Sequence, residues 1–245
     1  LLLDNDFNKC DFSKLRISLA GGMQVQKAVA EKWQDITGNV LSVGYGLSET
    51  SPAASIDPIG FDKFTDTLGL PLPSTEISIQ DDHGNQLNFG KAGEICIRGP
   101  QVMKGYWEND QETKNVMTQD GWFKTGDIGI MSEDGFTKIV DRKKDMIIVS
   151  GFNVYPNEIE EIAMMNENIF EAGCIGIKDN EGNEKIKLFV SKVPGCNLTS
   201  LEVIEYCKKY LTGYKIPEII EFIDEIPKSN VGKILRRKLR EISND

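Results

Sequence analysis

The chain has 245 residues, 40% of them hydrophobic and 27% charged, with a net charge of −10. That length and balance suit a globular protein with one large core or two smaller ones, and the acidic surface excludes nucleic acid and anionic lipid as general partners. No apolar run reaches the ~20 residues of a membrane helix, and Leu1-Leu2-Leu3-Asp4 lacks the features of a signal peptide. The start also lacks an initiator Met and a helix cap, so the chain is expected to begin inside a larger protein.

Residues 1–64 read as α/β. Leu15 to Ala20 is a short apolar run that predicts a strand. Val25, Ala28, Val29, Trp33 and Ile36 recur at helical spacing, and Gly38 supplies a stop. Val40 to Val43 predicts the next strand, which runs directly into Gly44-Tyr45-Gly46-Leu47-Ser48-Glu49-Thr50. Two glycines there let the backbone turn and approach a ligand closely. Tyr45 can offer a flat face to a purine, and Glu49 a hard oxygen suited to Mg²⁺. The plain alternative is a glycine-rich turn closing a buried strand, with Glu49 in solvent.

Residues 65–142 change texture. Gly and Pro punctuate short alternating runs such as Glu76-Ile77-Ser78-Ile79 and Glu94-Ile95-Cys96-Ile97-Arg98. This predicts antiparallel strands joined by tight turns, in a barrel-like subdomain. Thr125-Gly126-Asp127 reads as a tight turn that presents an Asp able to accept both hydroxyls of a ribose; an ordinary turn Asp is the alternative. His83, the sole histidine, lies in Asp82-His83-Gly84-Asn85, an exposed hairpin turn. That removes histidine triads and histidine metal sites from consideration.

Asp141-Arg142-Lys143-Lys144-Asp145 places five charges in a row and marks a boundary, with Lys143 to Asp145 reading as linker. Arg142 can reach a ribose or phosphate, or stand as a solvated charge. Residues 143–245 read as a small α+β domain. Pro156 opens a helix with Ile159, Ile162 and Ala163 on one face, 171–177 and 186–191 are strands, and Thr199-Ser200-Leu201-Glu202 is a capping box for a helix through Leu211. Ser150-Gly151 permits a turn or a close backbone approach. Residues 228–240 carry Lys228, Lys233, Arg236, Arg237, Lys238 and Arg240 with no acidic residue, a sign reversal that needs a reason. Lys233, on the loop Pro227-Lys228-Ser229-Asn230-Val231-Gly232-Lys233, suits a point-charge contact to phosphate. The alternative is a basic, solvated C-terminal helix; nucleic acid is disfavoured because no aromatics interleave the basic residues. The five scattered cysteines form no Cys-x-x-Cys pair, which argues against zinc or a disulfide framework and for a reducing cytoplasm.

In this order, Gly44 to Thr50, Thr125 to Asp127, Asp141 to Asp145 and Pro227 to Lys233 resemble the signatures of the adenylate-forming superfamily: acyl-CoA synthetases, luciferases and peptide-synthetase adenylation domains. The stretch from Asp141 to Glu160, and Leu211 to Pro217, look like bacterial long-chain fatty acid–CoA ligases in particular. The resemblance covers essentially the whole chain. It implies the end of a large N-terminal domain (αβ layer, then distorted β-barrel) followed by a small mobile domain hinged near 143–145. It also implies ATP, CoA and a fatty acid as substrates, with Mg²⁺, and a cytoplasmic enzyme; peripheral contact with the inner membrane face is left open. Gly21, Gly22, Met23, Gly44, Tyr45, Gly46, Leu47 and Ser48 are implied to enclose adenine and α-phosphate. Glu49 would help hold Mg²⁺, Asp127 and Arg142 would bind ribose, and Lys144 would be the hinge residue. Lys233 would act in adenylation, and Ser150 and Gly151 would contact CoA. The family's phosphate loop ending Pro-Lys-Gly has no counterpart here; it is expected upstream of Leu1, and this piece alone is expected to be inactive. Two other readings stand beside this one: an adenylation domain loading a carrier protein, and a non-catalytic nucleotide- or lipid-binding module.

Overall fold

The computed structural model describes every residue except Leu3, Asn5, Gln24, Asn180, Val231 and Asp245, so one position of the Pro227–Lys233 loop, Val231, lies outside the described residues. The chain divides into two compact units, Leu1–Ile139 and Val140–Asp245. Each buried apolar cluster draws its residues from one unit only.

The first unit opens with β1 (Ser18–Gly21), α1 (Lys27–Thr37), β2 (Leu41–Gly46), β3 (Ala53–Ile56) and β4 (Leu70–Pro71). The helix ends where the spacing predicts, on Gly38 in the left-handed region at φ 67°. Its Trp33 indole N–H donates to Ser18 Oγ at 2.9 Å, fastening α1 to β1. The four strands form one sheet in the order β1-β2-β3-β4, with β1 and β2 parallel and the later pairs antiparallel. A second sheet follows, of β5 (Glu76–Gln80), β6 (Ala92–Arg98), β7 (Phe123–Met131) and β8 (Thr137–Arg142), in that order. The predicted strand at 94–98 is β6, but its burial does not alternate: Glu94, Ile95, Cys96 and Ile97 are all buried, so both faces are covered. Ile95 and Ile97 join Ala54, Leu68 and Ile79 in one cluster, on which Tyr45 and Leu47 also pack. A short helix, α2 (Asp110–Val116), follows β6 and starts on Asn109, whose side chain accepts from the Glu112 N–H. Its polar sequence offers little apolar periodicity, and sequence reading passes over it.

The boundary falls within β8, so the second unit takes in that strand's last residues from Val140, followed by a hairpin, β9 (Ile147–Val149) and β10 (Phe152–Val154), then α3 (Pro156–Met164). Next come β11 (Ile169–Lys178), β12 (Glu184–Lys192), α4 (Ser200–Lys208), β13 (Ile219–Phe222) and α5 (Arg236–Asn244). Pro156 sits in the first turn of α3, where its missing N–H costs nothing. Thr199 and Glu202 form the predicted capping box of α4, which stops at Lys208, short of Leu211. In the three-stranded sheet, β11 pairs antiparallel with β12 and β12 parallel with β13. Both faces are covered. Cys174, Leu188 and Val190 face a cluster with Ile159, Ala163, Val203 and Cys207, while Ile175 and Phe189 face Leu239 of α5 and Ile226. Burial on both faces explains the apolar stretches Ala172–Ile177 of β11 and Leu188–Val190 of β12. Each such side chain contributes roughly 1.5–3 kcal/mol. No helix among the described residues is long and apolar enough to cross a membrane.

Candidate nucleotide and adenylation site

In the first unit, parallel pairing sets Gly21 directly beside Gly44, so two separately predicted glycine stretches meet at adjacent strand ends. A Cβ on Gly21 would lie 2.9 Å from the Gly44 carbonyl oxygen. At Gly46 the constraint is harder: a Cβ would stand 1.8 Å from the Pro52 carbonyl oxygen, where the chain doubles back toward β3. These glycines are demanded by main chain meeting main chain. Thr50, fully buried, knots the same turn. Its hydroxyl accepts from the Leu47 N–H at 2.9 Å and donates to the Pro52 carbonyl at 2.7 Å. Gly22, Met23 and Ser48 are exposed.

Tyr45 and Asp127, 82 positions apart, are brought together: the phenol donates to Asp127 Oδ2 at 2.6 Å. Asp127 is buried, yet it does not stand on the predicted tight turn. It lies inside β7, where Glu94 pairs with Ile128 and Cys96 with Lys124, so that Thr125, Gly126 and Asp127 bulge opposite Ile95. Gly126 takes φ 71°, its N–H donates to Glu94 Oε1 at 3.0 Å, and Thr125 Oγ1 donates to the Ile95 carbonyl at 2.8 Å. A glycine flanked by turn-forming residues looks the same in sequence whether it closes a turn or a bulge. A carboxylate has roughly four lone-pair sites, so Asp127 can accept further donors while holding Tyr45.

Glu49 is half-buried rather than free in solvent. Tyr106 donates its hydroxyl to Glu49 Oε1 at 2.8 Å, and the Met103 N–H donates to the Glu49 carbonyl at 2.8 Å. Burial, and then the neighbouring Glu49 carboxylate, push the Tyr106 phenol up to about 12, so it remains a proton donor at physiological pH. No group of three or more His, Cys, Asp and Glu is gathered for a metal among the described residues. A single held carboxylate still fits Mg²⁺, which keeps waters and substrate phosphates as most of its ligands.

The second unit holds the other predicted residues. Arg142 ends β8, with its N–H donating to Asp141 Oδ1 at 2.7 Å. Lys144 is exposed on a single 3₁₀ turn, Lys143–Asp145. Ser150 and Gly151 form the two-residue loop of the β9–β10 hairpin, with φ 50° and 82°, the two positive angles a type I′ turn requires. Lys233 is exposed on a separate hairpin. Lys228 and Ile234 form a bridge, Ser229 N–H donates to the Lys233 carbonyl at 2.8 Å, and Leu235 N–H donates to the Pro227 carbonyl at 2.8 Å.

One expectation is corrected here and one alternative set aside. Residues 143–145 are not simply linker, because Asp145 is buried, and α5 is not simply a solvated basic helix, because Arg236 is only 7% exposed. Arg236 Nη2 donates to Asn157 Oδ1 at 2.6 Å and to both Glu160 oxygens at 2.9 Å, and its Nε donates to the Cys174 carbonyl at 3.2 Å. Its Nη1 lies 3.9 Å from Asp141 and 3.7 Å from Asp145, and Arg240 reaches Asp145 at 2.9 Å. The sign reversal at 228–240 therefore has a physical cause: two of its cations neutralise buried carboxylates elsewhere in the unit. A clue was present in α3, where Glu160 falls on the buried stripe with Pro156 and Ala163.

The "AMP-binding enzyme" family matches residues 1–107 and the "AMP-binding enzyme C-terminal domain" family matches 158–233. The chain belongs to the adenylate-forming, AMP-binding enzymes. It is 53% identical to a long-chain-fatty-acid–CoA ligase of Yersinia pestis over 241 residues, covering 98% of this chain and 42% of that protein. It is 50% identical to the ligase of the same name from Salmonella typhimurium, covering 98% and 43%. The chain thus spans less than half the length of these curated relatives. Among solved structures, ATP-bound MatB from Rhodopseudomonas palustris superposes with a TM-score of 0.86 at 30% identity, covering 94% of this chain and 46% of that one.

Proposed function

We propose that the protein carrying this chain is an AMP-forming long-chain fatty acid–CoA ligase. The observation that carries the reading is the meeting of Gly21 with Gly44 and of Tyr45 with Asp127 in one unit, in a chain about half identical to ligases of that name. Close main-chain approach with a buried carboxylate suits an adenosine: the flat base against the glycine-lined strand ends, the ribose hydroxyls donating to Asp127. In the first half-reaction the fatty carboxylate attacks the α-phosphorus of ATP, forming acyl-AMP and releasing pyrophosphate. In the second, the CoA thiol attacks the acyl carbon and AMP leaves. Glu49, held by Tyr106, supplies one oxygen for Mg²⁺, which when bound offsets phosphate charge. Lys233 supplies the cation that stabilises charge building on the α-phosphate oxygens during carboxylate attack. Arg142 is assigned a nucleotide oxygen, Ser150 and Gly151 a CoA contact, and residues 143–245 the role of a small domain that moves about Lys144 between the half-reactions.

The test is acyl-CoA formation by the full-length protein across a panel of fatty acids, with CoA and a carrier protein offered as rival acceptors. Transfer to the carrier alone, or nucleotide binding without turnover, would sink the reading. Lys233→Ala is expected to lose about 10²- to 10³-fold in acyl-AMP formation while converting supplied acyl-AMP and CoA to thioester at a near-normal rate.

A further inference from the structure

The buried ion cluster around Arg236 lies outside every role assigned above, and it begins three residues after Lys233. The Lys233 hairpin is closed at its base, where Leu235 N–H donates to the Pro227 carbonyl at 2.8 Å. Its second leg, Ile234 and Leu235, leads straight into the first residue of α5, Arg236. That guanidinium is gripped from three directions. Glu160 and Asn157 of α3 take Nη2 at 2.6–2.9 Å, the Cys174 carbonyl of β11 takes Nε at 3.2 Å, and Asp141 and Asp145 stand 3.9 and 3.7 Å from Nη1. The grip is itself held. The Cys174 N–H donates to Glu160 Oε1 at 2.8 Å, the Asn157 N–H to Asp141 Oδ2 at 2.8 Å, and Arg240 to Asp145 at 2.9 Å.

Buried ion clusters of this kind add little net stability over well-packed apolar residues; what they offer is direction and register. A planar guanidinium with fixed donors can satisfy these partners in one pose only. Asp141 and Asp145 flank Lys143 and Lys144, the short turn just past the boundary of the two units. Arg236 therefore ties the second leg of the Lys233 hairpin to that turn, to α3 and to β11 together.

We infer that Arg236 is a positioning residue for Lys233: anchored by Glu160, Asn157 and the Asp141–Asp145 turn, it fixes the leg that carries the lysine and so sets where the amine is delivered during adenylation. The inference rests on the reading of Lys233 as the adenylation cation. Misplacing such a group by about 1 Å costs on the order of 10²-fold, whereas a change that merely loosens the unit has no reason to single out one half-reaction.

The experiment uses the full-length protein as Lys233→Ala, Arg236→Lys and the double variant. It reads pyrophosphate exchange with palmitate, thioester formation from synthetic palmitoyl-AMP and CoA, and thermal unfolding. Arg236→Lys keeps the buried cation and loses the planar fork. It is expected to slow pyrophosphate exchange about 10- to 100-fold, leave thioester formation within about twofold, and cause no further loss once Lys233 is Ala. Equal losses in both half-reactions, or losses that add in the double variant, would overturn the inference while leaving Lys233 in place. Normal pyrophosphate exchange in Lys233→Ala would overturn the underlying reading, and the inference with it. If Arg236→Lys does not fold, Glu160→Gln, which keeps the shape and an acceptor, is read the same way: a selective loss of exchange supports the inference and an even loss overturns it.

Discussion

The two units hold their candidate residues by different physics. In the first, Gly21 and Gly46 are set by main chain packed on main chain, and Tyr45, Asp127, Tyr106 and Glu49 by hydrogen bonds from phenols to carboxylates. In the second, the segments on either side of Lys144 and behind Lys233 are held by a buried cluster of Asp141, Asp145, Glu160, Arg236 and Arg240. The first arrangement cannot accept added volume at Gly21 and Gly46, and its buried carboxylate Asp127 takes its hydrogen bond from the Tyr45 phenol. The second has little tolerance for lost charge, because an uncompensated buried ion costs more than its pairing contributes. A nucleotide pocket that keeps one shape suits the first. A segment that must be held firmly yet in a definite register suits the second.

The comparison breaks most visibly at Arg236. Arg236→Leu leaves Glu160, Asp141 and Asp145 short of a cation in a buried site, so the second unit is expected to lose about 3–5 kcal/mol. Chemical denaturation of the full-length protein would show it as an earlier transition of that unit, with the first unit's transition unmoved. A loss below about 1 kcal/mol would mean that the cluster is wet and the contrast false.

Next in size is Gly46→Ala. One methyl would stand 1.8 Å from the Pro52 carbonyl oxygen, with no flexible side chain to give way. Main chain must move, at a cost of about 1–3 kcal/mol, and the loss should fall on the first unit and on ATP affinity together. The same change at the exposed Gly232 should leave stability of the first unit untouched. Smaller again is Asp127→Ala, expected to weaken ATP binding about tenfold, near 1.4 kcal/mol, as read by calorimetry on the full-length protein. Unchanged affinity would remove Asp127 from the ribose.

How much of this was legible in the sequence follows the same contrast. The strand into Gly44-Tyr45-Gly46, the Gly38 stop, Pro156 and the Thr199–Glu202 cap are local rules, written in adjacent residues, and the structure has each. The bulge at Asp127 was not legible as such, because its geometry depends on Glu94 and Ile95 of the neighbouring strand. The Arg236 cluster joins positions 141, 145, 157, 160 and 236 through tertiary packing, so no local pattern encodes it. Only its imprint was visible: an acid-free basic stretch far from its counter-charges, and a glutamate on the buried stripe of α3. Tyr106 left no imprint, since an aromatic in a turn-rich stretch has many ordinary uses.

The last effect concerns pH. The cluster holds three carboxyls, Asp141, Asp145 and Glu160, against two guanidiniums, Arg236 and Arg240, so full ionisation leaves a buried excess of negative charge. Burial raises the Glu160 carboxyl to about 7 even with Arg236 pulling it down and the Cys174 N–H donating to it. Burial raises Asp141 as well, and the apparent value belongs to the coupled set. The sign follows from proton binding. A carboxyl whose folded-state pKa lies above its unfolded value holds its proton more tightly when folded. Its contribution to stability is complete below about 4.5 and is lost as pH rises through about 7. Stability of the second unit should therefore decline as pH rises across that window. Exposed carboxylates such as Glu76, held low first by its Arg98 hydrogen bond, act in the opposite direction and below this window. Glu160→Gln cannot ionise, so denaturation midpoints of that variant should be flatter between pH 5 and 7 than those of the parent. An identical slope in the two proteins would show that the excess proton sits elsewhere in the cluster.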